Sequence, residues 1–223
     1  APILSLGLTL NISRTNVWSM QTIRVPYSVD PIGHEAITAL RRVQSAAVRT
    51  AYANAAKLDK KGRWVFSTEK DLRDLVKARF GTDILDSWAL HCSTRIGLSK
   101  RRQVPDGKMI FGGRKNFLRR NDGLIDEGEW GAMRLLPFVS YGDSQKAFGN
   151  QNVHLLSETQ LKLRVARHVD DPERIATARA KAKAKDEDYK APPKKLVLTS
   201  VTLNLVKMTG NAGKIIRQLA AIC

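Results

Sequence analysis

Eight lysines and arginines fall between positions 100 and 120 (Lys100, Arg101, Arg102, Lys108, Arg114, Lys115, Arg119 and Arg120), and Asp106 is the one carboxylate among them. Such side chains break no bonds by themselves; they neutralise phosphates and release the counterions held there. The same run contains Gly112-Gly113 and the rings of Phe111 and Phe117. A glycine pair lets the backbone bend sharply and approach a phosphate, and a ring such as Phe117 can stack on an unpaired base. The plain structural use stands beside this one: the glycines make a turn and the rings fill a core, where aromatics commonly sit. The cations are harder to explain that way, because an almost unopposed run repels itself unless an anion binds. The stretch reads as a nucleic-acid surface.

The whole chain points the same way. Its 223 residues carry a formal net charge of +17, which favours RNA and DNA as partners over the substrates of a metabolic enzyme. A membrane partner is not expected, since no apolar run approaches the roughly 18 residues needed to span a bilayer. Cys92 and Cys223 stand too far apart for a CxxC half-site, and His34, His91, His154 and His168 have no metal-ligand spacing. The expectation is therefore no metal, no cofactor and no catalytic residue in this chain, and an intracellular, reducing, cytoplasmic location. Residues 1–19 include Ile3, Leu4, Leu6, Leu8 and Leu10, yet no basic residue precedes them and no small-residue cleavage site follows. They read as an extra strand or an upstream extension, not as a secretion signal.

The elements that must position the cations follow from periodicity and turn chemistry. Residues 20–29 read as a strand ending near Pro26, which suggests a sheet edge. A helix over 34–57 gathers Ile37, Leu40, Val43, Ala47, Val48, Ala51 and Ala55 on one face. Arg42 and Arg49, two turns apart, then share the opposite face, as phosphate contacts or as ordinary exposed arginines. A second helix begins after a cap at Ser67 or Thr68, buries Leu72, Leu75, Val76 and Phe80, and ends at Gly81. A third over 83–97 carries Ile84, Leu85, Trp88, Ala89, Cys92 and Ile96 on one face, so Cys92 is a core thiol.

Beyond it, 105–107 reads as a turn, 108–111 as a short strand, and Gly112-Gly113 as a second turn. Asp126 with Glu129 three residues on predicts a capped short helix through Trp130, Met133 and Arg134. Strands are expected near 138–141, 152–156 and 160–165. In the last, Leu161, Leu163 and Val165 alternate with Lys162 and Arg164, giving one buried and one basic face. Asp171-Pro172-Glu173 starts a helix, and the Ala- and Lys-rich segment to 190 has no face worth burying, so it is a solvated helix or a linker. Residues 195–206 are a strand and 212–222 a helix.

In series, TIRVPYSV, RRVQSAAVRTAYANA, MIFGGRKNFLRR, GLIDEGEW with MRLLPFVSYGD, FGNQNVHLL and KLVLTSVTLNLVKMTGNAGKIIRQLAAI resemble the N-terminal region of the TnpB proteins and type V CRISPR effectors. These are transposon-related, RNA-guided DNA nucleases. The likeness spans residues 20–223. It implies an α+β fold in which a wedge-like antiparallel β-barrel is interrupted by a helical insertion of about three helices. Residues 1–19 would be an extension or extra strand, 20–32 the first wedge strand and 33–99 the recognition insert. The basic β-rich wedge region would be 100–170, the charged helix or linker 171–194, and the last wedge strand 195–223. Guide RNA and target DNA are the implied partners, with Arg114, Lys115, Arg119 and Arg120 facing backbone.

The resemblance departs at the chemistry. The family cuts DNA with two metal ions held by carboxylates of a later RuvC-like domain, so Mg²⁺ is expected only there. Here the aspartates Asp83, Asp86, Asp170 and Asp171 read as helix-start residues, and the sequence stops at Cys223, about where that domain would begin. The chain is thus expected to be the non-catalytic part of a longer nuclease. The rival expectation is a stand-alone basic structural or regulatory protein. The two differ over whether Ile215, Ile216, Leu219 and Ile222 find partners within the chain.

Overall fold

The computed structural model describes residues 4–14, 17–85, 87–106, 109–140, 153–185 and 188–220. Strands β1 (Leu4–Arg14) and β2 (Val17–Ser28) pair antiparallel from Leu4↔Tyr27 to Arg14↔Val17. Helix α1 (Pro31–Asn54) leads to a small hairpin of β3 (Ala56–Leu58) and β4 (Trp64–Phe66). Helices α2 (Glu69–Phe80), α3 (Ser87–Gln103), α4 (Arg114–Asn121) and α5 (Glu127–Met133) come next. Strands β5 (Val153–Ser157) and β6 (Gln160–Val169), helix α6 (Pro172–Lys185), strand β7 (Lys195–Leu205) and helix α7 (Gly210–Ala220) complete the described elements.

The class is α+β with antiparallel pairing, as the sequence predicts. The main sheet has the order β1-β2-β7-β6-β5, and no pairing between its end strands closes it among the described residues. Closure would need β1 to bond β5, so the element seen is an open sheet, not a closed barrel.

Local signals decide the helix ends. The Thr68 hydroxyl accepts from the Asp71 amide at the start of α2, and Gly81, at φ 65°, ends it. Asp126 and Glu129 form the expected capping box on α5. The Arg174 amide donates to Asp171 Oδ1 at 3.3 Å where α6 begins. Each such cap stabilises its helix by about 1 kcal/mol.

The chain divides into two compact units. The first holds the described residues up to Ile37 with those of 153–165 and 199–220. In it Leu161, Leu163 and Val165 of β6 and Val201, Leu203 and Leu205 of β7 are buried with Val25 and Tyr27, while Lys162, Arg164, Thr202 and Asn204 are exposed. Period-two alternation thus produces the two faces predicted. Ile215 and Ile216 of α7 are buried too, and α7 packs against β5. Leu219's side chain and Ile222 lie outside what is described.

Pro26 corrects the edge-strand expectation, because β2 has a neighbour on each side. Its carbonyl accepts from the Val206 amide at 2.8 Å. A strand residue's nitrogen and oxygen point to the same side, so the missing N–H faces β7, where the ladder is only Tyr27↔Leu205 and Ser28↔Asn204.

The second unit holds described residues of 38–140 and 166–198. Its centre is the crossing of α1 and α3, which are pressed together by small residues. A Cβ on Gly97 would stand 2.5 Å from Ala51 Cβ and 2.8 Å from the Tyr52 nitrogen, so only glycine fits. Leu40, Ala47, Val48, Leu72, Val76, Leu85, Leu90 and Leu98 fill the core, and Cys92 is fully buried as predicted. Buried Ser93 and Thr94 donate to the carbonyls of Ala89 and Leu90, at 2.7 and 3.0 Å, which removes the cost of burying their hydroxyls.

Side chains of α1 also hold the segment through Leu136 and Val139. Gln44 Nε2 donates to the Val139 carbonyl at 2.5 Å, and the Val139 amide donates back to Gln44 Oε1 at 2.7 Å. The Leu136 amide donates to Ser45 Oγ at 2.9 Å, and Arg41 Nε to the Leu136 carbonyl at 3.1 Å. The strand expected at 138–141 does not form over 138–140, which bond to a helix instead; Tyr141 lies outside the described residues.

Region 100–170 differs most from its expected β-rich character. Helix α3 continues to Gln103, residues 109–111 form no strand, and α4 and α5 occupy 114–133. Lys108 lies outside the described residues. RKNFLRRN is rich in good helix formers, and a glycine pair that reads as a hairpin turn serves instead as a helix entry.

Candidate nucleic-acid interface

The geometry starts at the glycine pair. Gly112 has φ 98°, and a Cβ there would stand 2.7 Å from Trp130 Cζ3 and 3.1 Å from Arg134 Cγ. Its close approach is to an indole, so this glycine serves packing. Gly113, at φ 87°, has open space around its Cα and acts as the N-cap of α4 without a side-chain cap bond. No acidic residue stands in the first turn; Arg114 and Lys115 are there, both exposed. Unbonded amides and the helix dipole already make such an end positive, and these two cations add to it.

Farther along α4, Arg119 is exposed, while Arg120 is paired with Glu127, its Nε 2.7 Å from Oε1. Phe117 is half-buried, its ring centroid 5.9 Å from that of Trp130 and tilted by 52°. Phe111 meets Tyr52 edge-on at 5.6 Å. Both rings are thus engaged in packing. Arg114, Lys115 and Arg119 have no ion pair among the described residues.

The cations at the end of α3 are arranged differently. Arg101 lies 4.7 Å from the Trp64 ring and 5.2 Å from the Tyr52 ring, and its Nη1 donates to the Tyr52 hydroxyl at 3.4 Å. The Met109 amide reaches the same hydroxyl at 3.1 Å, and Trp64 Nε1 donates to Asp106. Arg101 is therefore part of a cation–aromatic knot that holds the loop after α3. Arg102 is exposed, 5.9 Å from the Phe66 ring, and Lys100 is half-buried. Arg102 also lines an open groove of about 370 Å³ with Glu69, Arg95, Leu98, Ser99 and Gln103. His91 bonds Glu69 beside it. Arg95 escaped sequence reasoning, although its spacing of seven from Arg102 puts both on one helical face.

On α1, Arg42 is exposed but Arg49 is half-buried, so the two do not share a solvent face. Arg49 Nη1 is buried without a hydrogen-bond partner among the described residues. Burial, and then the charge of Arg134, weaken Arg49's hold on its proton. Arg134 ends α5 and lies 5.7 Å from the Trp130 ring. It was not among the expected site residues, though its i, i+4 spacing from Trp130 was a signal.

Lys162 and Arg164 are exposed on β6, with His154 opposite Lys162 across the ladder. They belong to the first unit, whereas the α1, α3 and α4 cations belong to the second. Asp171 caps α6 and Asp170 pairs with Lys194; Asp86 lies outside the described residues. No group of three His, Cys, Asp or Glu suited to a metal occurs among the described residues, and no helix among them is long and apolar enough to cross a membrane. The chemistry on offer is charge neutralisation and guanidinium hydrogen bonding. No family model matches the chain, and no curated protein or solved structure matches it either.

Proposed function

We propose that the chain is a nucleic-acid-binding module that grips a phosphate backbone by charge and shape, with α4 at the centre of its binding face. The observation that carries this reading is the set Arg114 and Lys115 at a helix start without a side-chain cap bond and Arg119 in the last turn of the same helix, all exposed and without ion pairs among the described residues. The net charge of +17 supports it. In its specific form, the module is the guide-RNA and target-DNA binding part of a TnpB-like or type V CRISPR-like nuclease. The five-stranded sheet then corresponds to the wedge and α1–α3 to the recognition insert. Base pairing would supply sequence specificity, and metal-dependent cleavage would belong to a separate domain.

A second reading, a self-sufficient basic RNA- or DNA-binding protein, draws support from the burial of Ile215 and Ile216 on α7. Both readings are tested by binding of the purified chain to structured RNA, single-stranded DNA and duplex DNA over a salt series, with Mg²⁺ present and product sizes followed. The guide-binding form expects structured RNA to be preferred, affinity to fall steeply with salt, and all strands to stay intact. Equal, weak binding to every polyanion would leave only the second reading, and cleavage would overturn the non-catalytic assignment.

A further inference from the structure

We propose that the groove between α2 and α3 takes one unpaired nucleotide of a bound RNA strand, with Glu69 reading an amino group on the base and Arg95 meeting its phosphate. The inference rests on the nucleic-acid reading above and gives that reading a base contact. The groove holds about 370 Å³ and is lined by Glu69, Arg95, Leu98, Ser99, Arg102 and Gln103, a volume in the range of small-ligand sites. Residues 95, 98, 99 and 102 recur at helical spacing, so one face of α3 forms the wall. Glu69, the first residue of α2, faces it, and the two helices pack together within the second unit.

The lining has the three parts that a nucleotide needs. Arg95 is exposed, with no ion pair and no ring contact among the described residues, so its guanidinium fork is open to a phosphate. Leu98, 5% exposed, supplies an apolar patch for a base face. Glu69 supplies an acceptor. Its Oε1 is bonded by His91 Nε2, while Oε2 has no partner among the described residues; His91 thus positions the carboxylate and leaves one oxygen to accept. A carboxylate repels a plain phosphate, so the occupant must present a donor as well as an anion. The amino group on the pairing edge of cytosine is such a donor, and uracil has a carbonyl in its place. Those edges are free to a protein in unpaired strands. Arg102, near the Phe66 ring, borders the groove two turns from Arg95.

The test measures the affinity of the purified chain for oligocytidylate and oligouridylate RNA of equal length over a salt series at neutral pH, and for free cytidine monophosphate. The wild type should bind oligocytidylate about tenfold more tightly than oligouridylate. Glu69→Gln should shrink that ratio below about twofold, because a carboxamide offers both a donor and an acceptor and pairs with either edge. Ser99→Leu, which fills the groove from an exposed helical position, should shrink it likewise. Arg95→Gln should weaken both RNAs alike, with a salt slope smaller by about one.

A Glu69 that serves only to start α2 and bond His91 would leave the base ratio unmoved. Equal binding of the two RNAs by the wild type, or a ratio kept in both Glu69→Gln and Ser99→Leu, therefore overturns the groove and leaves the nucleic-acid reading standing. Binding of cytidine monophosphate that is lost in Glu69→Gln, with no RNA binding by the wild type, assigns the groove to a free nucleotide. That result overturns the strand as the source and the reading beneath it.

Discussion

The end of α3 and the length of α4 carry arginine and lysine at similar density, yet their surroundings give the two groups different roles. Arg101 lies over Tyr52 and Trp64, and Arg102 near Phe66, so these two α3 cations sit against rings supplied by α1 and β4. Arg114, Lys115 and Arg119 meet no ring or carboxylate among the described residues. A cationic run therefore shows its role through what the fold brings beside it. Aromatic neighbours turn a cation into a fastener, and their absence leaves it available to a polyanion.

The largest effect should come from removing the platform beneath α4. Trp130→Ala deletes the ring that meets Phe117, Gly112 and Arg134, and loss of a buried Trp costs about 3–5 kcal/mol. Urea unfolding should report that loss, and RNA binding should fall with it. Next comes Arg114→Ala/Lys115→Ala/Arg119→Ala. Its unfolding free energy should stay within about 0.5 kcal/mol of wild type, while RNA affinity at low salt falls roughly 30- to 100-fold.

Arg101→Ala should reverse that pattern. Two cation–aromatic contacts and a hydrogen bond go, so stability should drop by about 1–2 kcal/mol with RNA affinity changed less than threefold, roughly the size of one weak surface contact. An affinity loss equal to that of the α4 variant would erase the distinction between the two regions.

The smallest effect concerns the hairpin that carries Trp64. Amide donation from Arg63, then from Lys61, with a contribution from the Arg63 guanidinium, holds the Asp59 carboxyl below its ordinary range despite an opposing desolvation effect. A depressed carboxyl contributes stability that is present above the unfolded value of about 3.9 and is lost as pH falls through the folded one. Trp64 fluorescence should therefore change in acid below about pH 4, and Asp59→Asn should diminish that change without altering RNA binding at neutral pH.

What the sequence revealed and what it hid divide by distance along the chain. The caps at Thr68, Asp126 and Asp171 and the alternation in β6 and β7 involve residues within a few positions of each other, and they read correctly. The Arg101 knot depends on Tyr52 and Trp64, which no local pattern links to position 101. Arg49 was expected opposite the apolar stripe, but α1 is covered on more than one side. Gly97 of α3 meets Ala51, and the segment through Leu136 and Val139 meets Gln44 and Ser45, so the face opposite the stripe is not simply a solvent face. Helix α4 was hidden by its glycines, of which Gly112 gains its close approach to Trp130 only after α5 has folded against it.

The side-chain clamp of α1 also bears on the order of folding. Gln44 and Val139 are 95 residues apart, so joining them closes a long loop, whose entropy disfavours an early contact. The Leu136 and Val139 amides donate to side-chain oxygens of α1 and have no partner until that helix exists. Hydrogen exchange at these two amides should then follow the docking of the segment. Their protection should rise after that of the α1 backbone during refolding, and Gln44→Ala should remove it at Val139 while Leu136 keeps its bond to Ser45, so two protons report a late step in assembling the helical unit.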